Sequence, residues 1–263
     1  VSNSVLMVGC GNMGGALLAQ WAKLDGVTVT VIDPAGPEAP AGVKVVSSPG
    51  ALDGQDYDAL IVAVKPQLID AAIPQAAGLL KADGFALSIA AGTSAATISR
   101  AVGGRPAIRL MPNMPARIAR GVSGLFAQDG IRPEQKDLAD RMGSAVGTAI
   151  WLADEDQIDR ITAAAGSGPG YVYEFARTYQ QAAQDLGFDE AQSRALVMQT
   201  IAGCMALAEE TGQSFEALRD SIMSKGGTTA AGVAKLNEDD GLTTRVKGAL
   251  QAAYDRACEL RAG

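Results

Sequence analysis

The 263-residue chain contains no histidine. That absence excludes Ser-His-Asp and Cys-His nucleophile pairs, a His-Glu-x-x-His zinc site and any imidazole general base. Cysteine is almost as scarce: Cys10, Cys204 and Cys258 lie far apart and make neither a disulfide framework nor a metal-ligand spacing. No apolar run approaches the roughly 18 residues of a membrane span. Basic residues are the minority, 22 against 29 acidic, and the net charge of −7 argues against nucleic acid or an anionic membrane as partner. No basic segment followed by an apolar one opens the chain, so cytoplasmic residence is expected. What is present is 48% hydrophobic and 19% charged sequence, the balance of a soluble globular protein of one large or two modest domains. Chemistry that a cofactor carries, such as hydride transfer, survives every one of these exclusions.

The most informative stretch is Val5-Leu-Met-Val-Gly-Cys-Gly-Asn-Met-Gly14. Val5 to Val8 suits a buried parallel strand, and Ala16 to Ala22 reads as a helix. Between them, Gly9 permits a tight turn, Gly11 lets backbone approach a pyrophosphate, and Gly14 lets helix and strand pack closely. Asn12 and Met13 complete the turn, and the free N–H groups of the following helix suit phosphate. A second strand, Val27 to Ile32, ends in Asp33, 19 residues after Gly14. There an acid hydrogen-bonds the ribose hydroxyls of NAD. Its charge opposes a 2′-phosphate, and no lysine or arginine lies between Asp33 and Lys44. NADH is therefore the expected cofactor, with NADPH as the second choice. In the competing reading, Pro34 turns the Asp33 side chain outward to initiate a turn.

Strands alternate with helical segments through the first half, the pattern of a doubly wound parallel α/β sheet. Further strands are predicted at Val43 to Val46, Ala59 to Val64, Phe85 to Ala90, Ala107 to Leu110, Ser123 to Ala127 and Thr148 to Leu152. From Asp154 the sequence becomes all-helical. Asp154-Glu-Asp-Gln157 and Asp189-Glu-Ala-Gln192 are helix starts with an acidic cap and Gln three residues on. Two domains are expected, 1–153 and 154–263. Small residues such as Ala163 to Ala165 and Gly203 permit close helix approach. With aromatics at 5% of the chain, the helical half either forms a lone bundle or interleaves with a second copy, and a dimer is favoured.

Other constellations sit at predicted strand ends. Ala63-Val64-Lys65-Pro66-Gln67 follows the fourth strand, at the edge where open α/β sheets bind ligands; the bland alternative for Lys65 is a solvated turn. Ala91 and Gly92, in Ser88-Ile-Ala-Ala-Gly-Thr93, let backbone carbonyls approach a nicotinamide ring. Arg109-Leu-Met-Pro-Asn-Met-Pro115 closes the sixth strand, its prolines aiming Asn113 at the ring carboxamide. Gly166-Ser-Gly-Pro-Gly170 interrupts a helical pattern, either as a loop or as a kink beside a substrate pocket. Ser224-Lys-Gly-Gly-Thr-Thr229 places consecutive N–H groups of Gly226, Gly227 and Thr228 before a helix, a nest for an anion. The Gly-x-x-x-x-Gly-Lys-Ser/Thr phosphate spacing is absent, so a carboxylate fits it better.

Taken together, Gly9-Cys-Gly-Asn-Met-Gly14, Ala63-Val-Lys-Pro-Gln67, Ser88-Ile-Ala-Ala-Gly92, Met111-Pro-Asn-Met-Pro115, Gly166-Ser-Gly-Pro169 and Ser224-Lys-Gly-Gly-Thr-Thr229 make the chain resemble the pyrroline-5-carboxylate reductases over essentially its whole length. The first two motifs are shared with wider dehydrogenase families; the last two together are specific. The resemblance implies a Rossmann domain followed by an all-α dimerisation domain, and reduction of 1-pyrroline-5-carboxylate to L-proline by NAD(P)H. It also implies homodimers, sometimes assembled into larger rings, with the active site completed by the partner chain's helices. Ser224, Gly226, Gly227 and Thr228 would hold the imino acid's carboxylate, and Thr229 would place a hydroxyl at the ring nitrogen as the catalytic residue. Two departures stand out: Met114 replaces the family's usual threonine, and Asp33-Pro34-Ala35 lacks the Ser/Thr/Arg cluster that many members use for NADPH. A β-hydroxyacid dehydrogenase is the alternative enzyme. Its catalytic lysine would fall at Val172, and no lysine occurs between Ala153 and Met223. A non-catalytic dinucleotide sensor is the alternative from another class.

Overall fold

A computed structural model describes residues 2–52 and 54–262. Eight strands form one sheet in the order β3-β2-β1-β4-β5-β6-β7-β8. They are β1 Asn3–Val8, β2 Val27–Ile32, β3 Lys44–Val46, β4 Tyr57–Val62, β5 Leu80–Ser88, β6 Ala107–Met111, β7 Gly121–Ala127 and β8 Gly147–Trp151. All neighbours pair in parallel except β6 and β7. That single antiparallel pairing departs from the all-parallel expectation. Its cause is the short connection 112–120, which has no room for the crossover of a dozen or more residues that parallel strands need. β5 also begins earlier than its apolar run suggests, because the polar stretch after Leu80 still leads into the ladder with a register shift near Tyr57.

Side chains of successive strand residues face opposite sides, and each side has its own core. Val5, Met7, Val29, Val31, Ile61 and Phe85 face α1 (Asn12–Trp21) and α4 (Pro133–Ser144). The intervening residues, among them Leu6, Val8, Leu60 and Val62, face α2 (Ile69–Ala77) and α3 (Ala95–Ala101). The buried Trp21 indole donates to the Met142 carbonyl at 2.8 Å, tying α1 to α4. Burying a side chain of this size contributes about 2–3 kcal/mol, and its one polar atom is satisfied.

Beyond β8 come α5 (Asp156–Ile161), a π-helical turn (Thr162–Gly166), α6 (Gly168–Asp185), α7 (Glu190–Thr211), α8 (Phe215–Ser221), α9 (Thr228–Leu236) and α10 (Gly241–Ala262). The Gly166-Ser-Gly-Pro stretch is thus no open loop; it is where a widened turn hands α5 to α6. Asp154 accepts from the Gln157 N–H at 3.0 Å. Asp189 and Gln192 form the reciprocal cap expected of their spacing, at 2.8 and 3.2 Å.

The chain divides into two compact units, Val1–Pro169 with Ala252–Gly263, and Gly170–Gln251. The sheet-bearing unit therefore keeps α5, the π turn and the last part of α10. Within it, Glu155 accepts from Arg109 at 3.0 Å and from the Ala95 N–H at the start of α3 at 2.6 Å. Burial pulls the Arg109 guanidinium below its ordinary value, and Glu155 opposes that pull. Arg261 of α10 bonds Asp159 of α5 at 3.0 Å. Burial raises the Asp159 carboxyl, against the pull of Arg261 and Arg109.

Candidate active site and cofactor crevice

The glycine turn has the shape its spacing predicts. Gly9 sits at φ +87°, and a Cβ there would lie 2.8 Å from Val64 Cγ1 and 2.9 Å from the Ala63 carbonyl oxygen. Gly14 packs against Met7, whose Cε would be 2.7 Å from an added Cβ. Gly11 differs: nothing lies within 4 Å of its would-be Cβ. It caps α1, whose first turn holds no acidic residue and makes no side-chain cap hydrogen bond. The N–H groups and positive end of that helix are thus left for an anion. Exposed Asn12 and half-buried Met13 follow at the rim.

Asp33 closes the turn from the side. One carboxylate oxygen accepts from the Cys10 N–H at 2.7 Å and the other from the Ala35 N–H at 2.9 Å. Asp33 therefore does initiate a turn, yet its carboxylate stays against the glycine loop and is not turned outward. Burial first, and then the Asp33 charge, push the Cys10 thiol above its ordinary value, so Cys10 is no thiolate nucleophile at neutral pH. A groove of about 380 Å³ runs from Gly9 and Asp33 past Ser47, Ser48 and Val64 to Gln75. Among the described residues, its lining includes no lysine or arginine, and Asp33 is its one charged group.

The sheet topology gathers the other predicted residues on the same edge. β1, β4, β5 and β6 run parallel, so Ala63, Val64, Lys65 and Pro66, the Ala91-Gly92 turn and Asn113 follow three C-terminal strand ends beside the glycine turn. Lys65 and Pro66 are exposed, and Lys65 precedes a 3₁₀ turn. Gly92 has φ +66°, and an added Cβ would lie 3.1 Å from the Leu260 carbonyl oxygen of α10. Asn113 is buried, with both ends of its amide engaged. Nδ2 donates to the Ala165 carbonyl at 3.0 Å, and Oδ1 accepts from the Val122 N–H at 2.9 Å. The side chain expected to meet the nicotinamide carboxamide spends these bonds inside the protein, because β6 ends at Met111 opposite Gly124, two residues short of the position facing Val122. Met114 is partly exposed beside it.

In the helical unit, the Gly227 N–H bonds the Ser224 carbonyl at 3.0 Å, making a turn with Gly226 at φ +73°. A Cβ at Gly227 would collide with the Ser224 hydroxyl. Gly227 caps α9, which has no acidic residue in its first turn and no side-chain cap. Thr228 is exposed and Thr229 half-buried. The turn thus takes up the Gly227 N–H, one of the three donors expected to form the anion nest, and leaves the bare N-terminus of α9 beside it.

Sequence reasoning missed Glu155 and the role of Arg109. The available signal was an arginine inside the apolar run Ala-Ile-Arg-Leu-Met, which demands a buried partner.

A doubly wound sheet with an open glycine turn, an acid after β2 and a helical second half defines the nicotinamide-dependent oxidoreductase class. A family model of pyrroline-5-carboxylate reductase dimerisation matches residues 155–260. The pyrroline-5-carboxylate reductase of Pasteurella multocida is 34% identical over 271 residues, covering 98% of both chains. The solved pyrroline-5-carboxylate reductase of Coxiella burnetii superposes with a TM-score of 0.88 at 31% identity, over 99% of each chain. The fold is shared as well by the Plasmodium falciparum enzyme, solved with NADP bound, at a TM-score of 0.84, 24% identity and 98% coverage of each chain. The chain belongs to the pyrroline-5-carboxylate reductase family.

Proposed function

We infer that the chain reduces 1-pyrroline-5-carboxylate to L-proline with NAD(P)H, the last step of proline biosynthesis. The observation that carries the cofactor side is the open Gly11 at the bare N-terminus of α1, flanked by the Asp33 carboxylate. When bound there, the reduced nicotinamide supplies hydride to the C=N carbon. A protonated imine is already an electrophile, so a protein without histidine needs to add little acid–base chemistry. Its main contribution is to hold the reactants together, which lowers the barrier through proximity. In this reading the N–H groups of Gly226 and Thr228 bind the carboxylate with Ser224 assisting, the expected Gly227 N–H being held by the Ser224 carbonyl instead, and the Thr229 hydroxyl helps deliver the proton to the ring nitrogen. Lys65 borders the crevice without a chemical step.

We further propose NADH as the preferred donor. The groove beside Asp33 offers a 2′-phosphate no cation, and that carboxylate repels it. Cytoplasmic residence, a homodimer built from the helical unit, and a division of labour between cofactor-binding and helical parts, its expected boundary near residue 153 moved to the Pro169–Gly170 junction, complete the proposal; larger rings of dimers are compatible with it. Following NADH absorbance separately with racemic 1-pyrroline-5-carboxylate and with β-hydroxyacids plus NAD separates the readings. Oxidation with the imine alone supports the reductase. Turnover of hydroxyacids favours the dehydrogenase, and binding without any turnover favours the sensor.

A further inference from the structure

The π turn at Thr162–Gly166 has a chemical cause three residues downstream of its end. In a regular helix the Ala165 carbonyl would accept from the N–H of residue 169, but residue 169 is proline, which has none, and whose ring would press on that carbonyl. The widened turn, closed by the Ser167 N–H on the Thr162 carbonyl at 2.8 Å, accommodates the ring. The Asn113 amide supplies Ala165 with a donor at 3.0 Å. At its other end the same amide replaces a missing strand partner. β6 stops at Met111 opposite Gly124, Pro112 carries no N–H, and Asn113 Oδ1 takes the Val122 N–H at 2.9 Å. One buried side chain therefore acts as a surrogate peptide between the end of β6, the start of β7 and the turn before α6.

We propose that Asn113 is a positioning residue that acts through Ala165, setting the π turn and the Gly166-Ser-Gly-Pro segment against the loop that closes β6. This rests on the reductase reading, in which that loop borders the reacting ring. Asn113 then governs how well the imine pocket is shaped, with dinucleotide binding left to the glycine turn.

The test is Asn113→Asp, which can still accept from Val122 but sets an acceptor against the Ala165 carbonyl. Wild-type turnover is measured first, and its absence would sink the reductase reading. With turnover in hand, Asn113→Asp is expected to lower kcat for the imine by about 10- to 100-fold, with NADH affinity by fluorescence titration within about threefold. Pro169→Ala restores a backbone donor to Ala165, so its effect on kcat and that of Asn113→Asp should not multiply; the double variant should be no slower than Asn113→Asp alone. Should Asn113→Asp fail to fold, Asn113→Ser, whose hydroxyl cannot span both partners, is read the same way. An unchanged kcat, losses that multiply in the double variant, or a defect confined to NADH affinity would each overturn the proposal, the last returning Asn113 to a direct carboxamide contact.

Discussion

Asp33 carries the most discriminating charge in the crevice. Its carboxylate is fixed by two backbone N–H groups, so it cannot swing away from a phosphate without losing them. Wild-type kcat/KM is expected to favour NADH by about 1–2 kcal/mol, roughly 5- to 30-fold. Asp33→Ser should narrow that preference mainly by improving NADPH, as steady-state kinetics at saturating imine would report. Equal or better use of NADPH by the wild type would refute the role given to Asp33. The glycines make a paired prediction. Gly9→Ala forces a left-handed backbone conformation and a clash with Ala63 backbone, so thermal unfolding should show a loss of about 1–3 kcal/mol. Gly11→Ala meets nothing in the protein and should change stability by no more than about 1 kcal/mol. It should nevertheless weaken dinucleotide binding at least about tenfold, because the methyl occupies the approach to the phosphates.

Among the elements, the Glu155 carboxylate joins β6 to the N-terminus of α3, three residues after Gly92. Glu155→Ala leaves the Arg109 guanidinium, 2% exposed, without its carboxylate. The expected cost is about 2–4 kcal/mol in urea unfolding, below the full figure for a buried pair because Glu155 itself is 26% exposed. Adding Arg109→Met should recover most of the loss; no recovery would mean the pair is not the cause. A chain cut after Ala153 loses this same carboxylate along with buried Ile158, so the sheet unit is expected to aggregate when shortened there. For α9, Thr229→Ala should lower kcat/KM for the imine by about 10- to 100-fold with little change in dinucleotide affinity. A variant with wild-type turnover would remove Thr229 from the chemistry. These elements also mark how far the sequence could be read. The strands, the glycine turn and the Asp189 cap were legible because each rests on local periodicity or spacing. The antiparallel β7, the Arg109–Glu155 pair and the ties made by Asn113 were not. They depend on which residues meet across the fold, from nine positions apart for Asn113 and Val122 to 52 for Asn113 and Ala165, and the local signals, a short connection and an arginine in an apolar run, do not name the partner.

At the largest scale, the helical unit carries many large apolar side chains on its surface. Tyr173, Phe175, Leu186, Met198, Phe215 and Ile222 all face outward, and a groove of about 500 Å³ between α6 and α7 is lined by Val172, Tyr173 and Met198. Apolar surface of this kind suits association, in keeping with the dimerisation family that residues 155–260 match. No helix among the described residues is long and apolar enough to cross a membrane. The reaction proposed is direct hydride delivery to a cyclic imine by a protein that supplies orientation and little else. It is tested most directly with NADH dideuterated at C4 of the nicotinamide and racemic 1-pyrroline-5-carboxylate. L-proline carrying one deuterium at C5 is expected, formed one-to-one with NADH consumed. Proline without deuterium, or NADH consumption without proline, would contradict it.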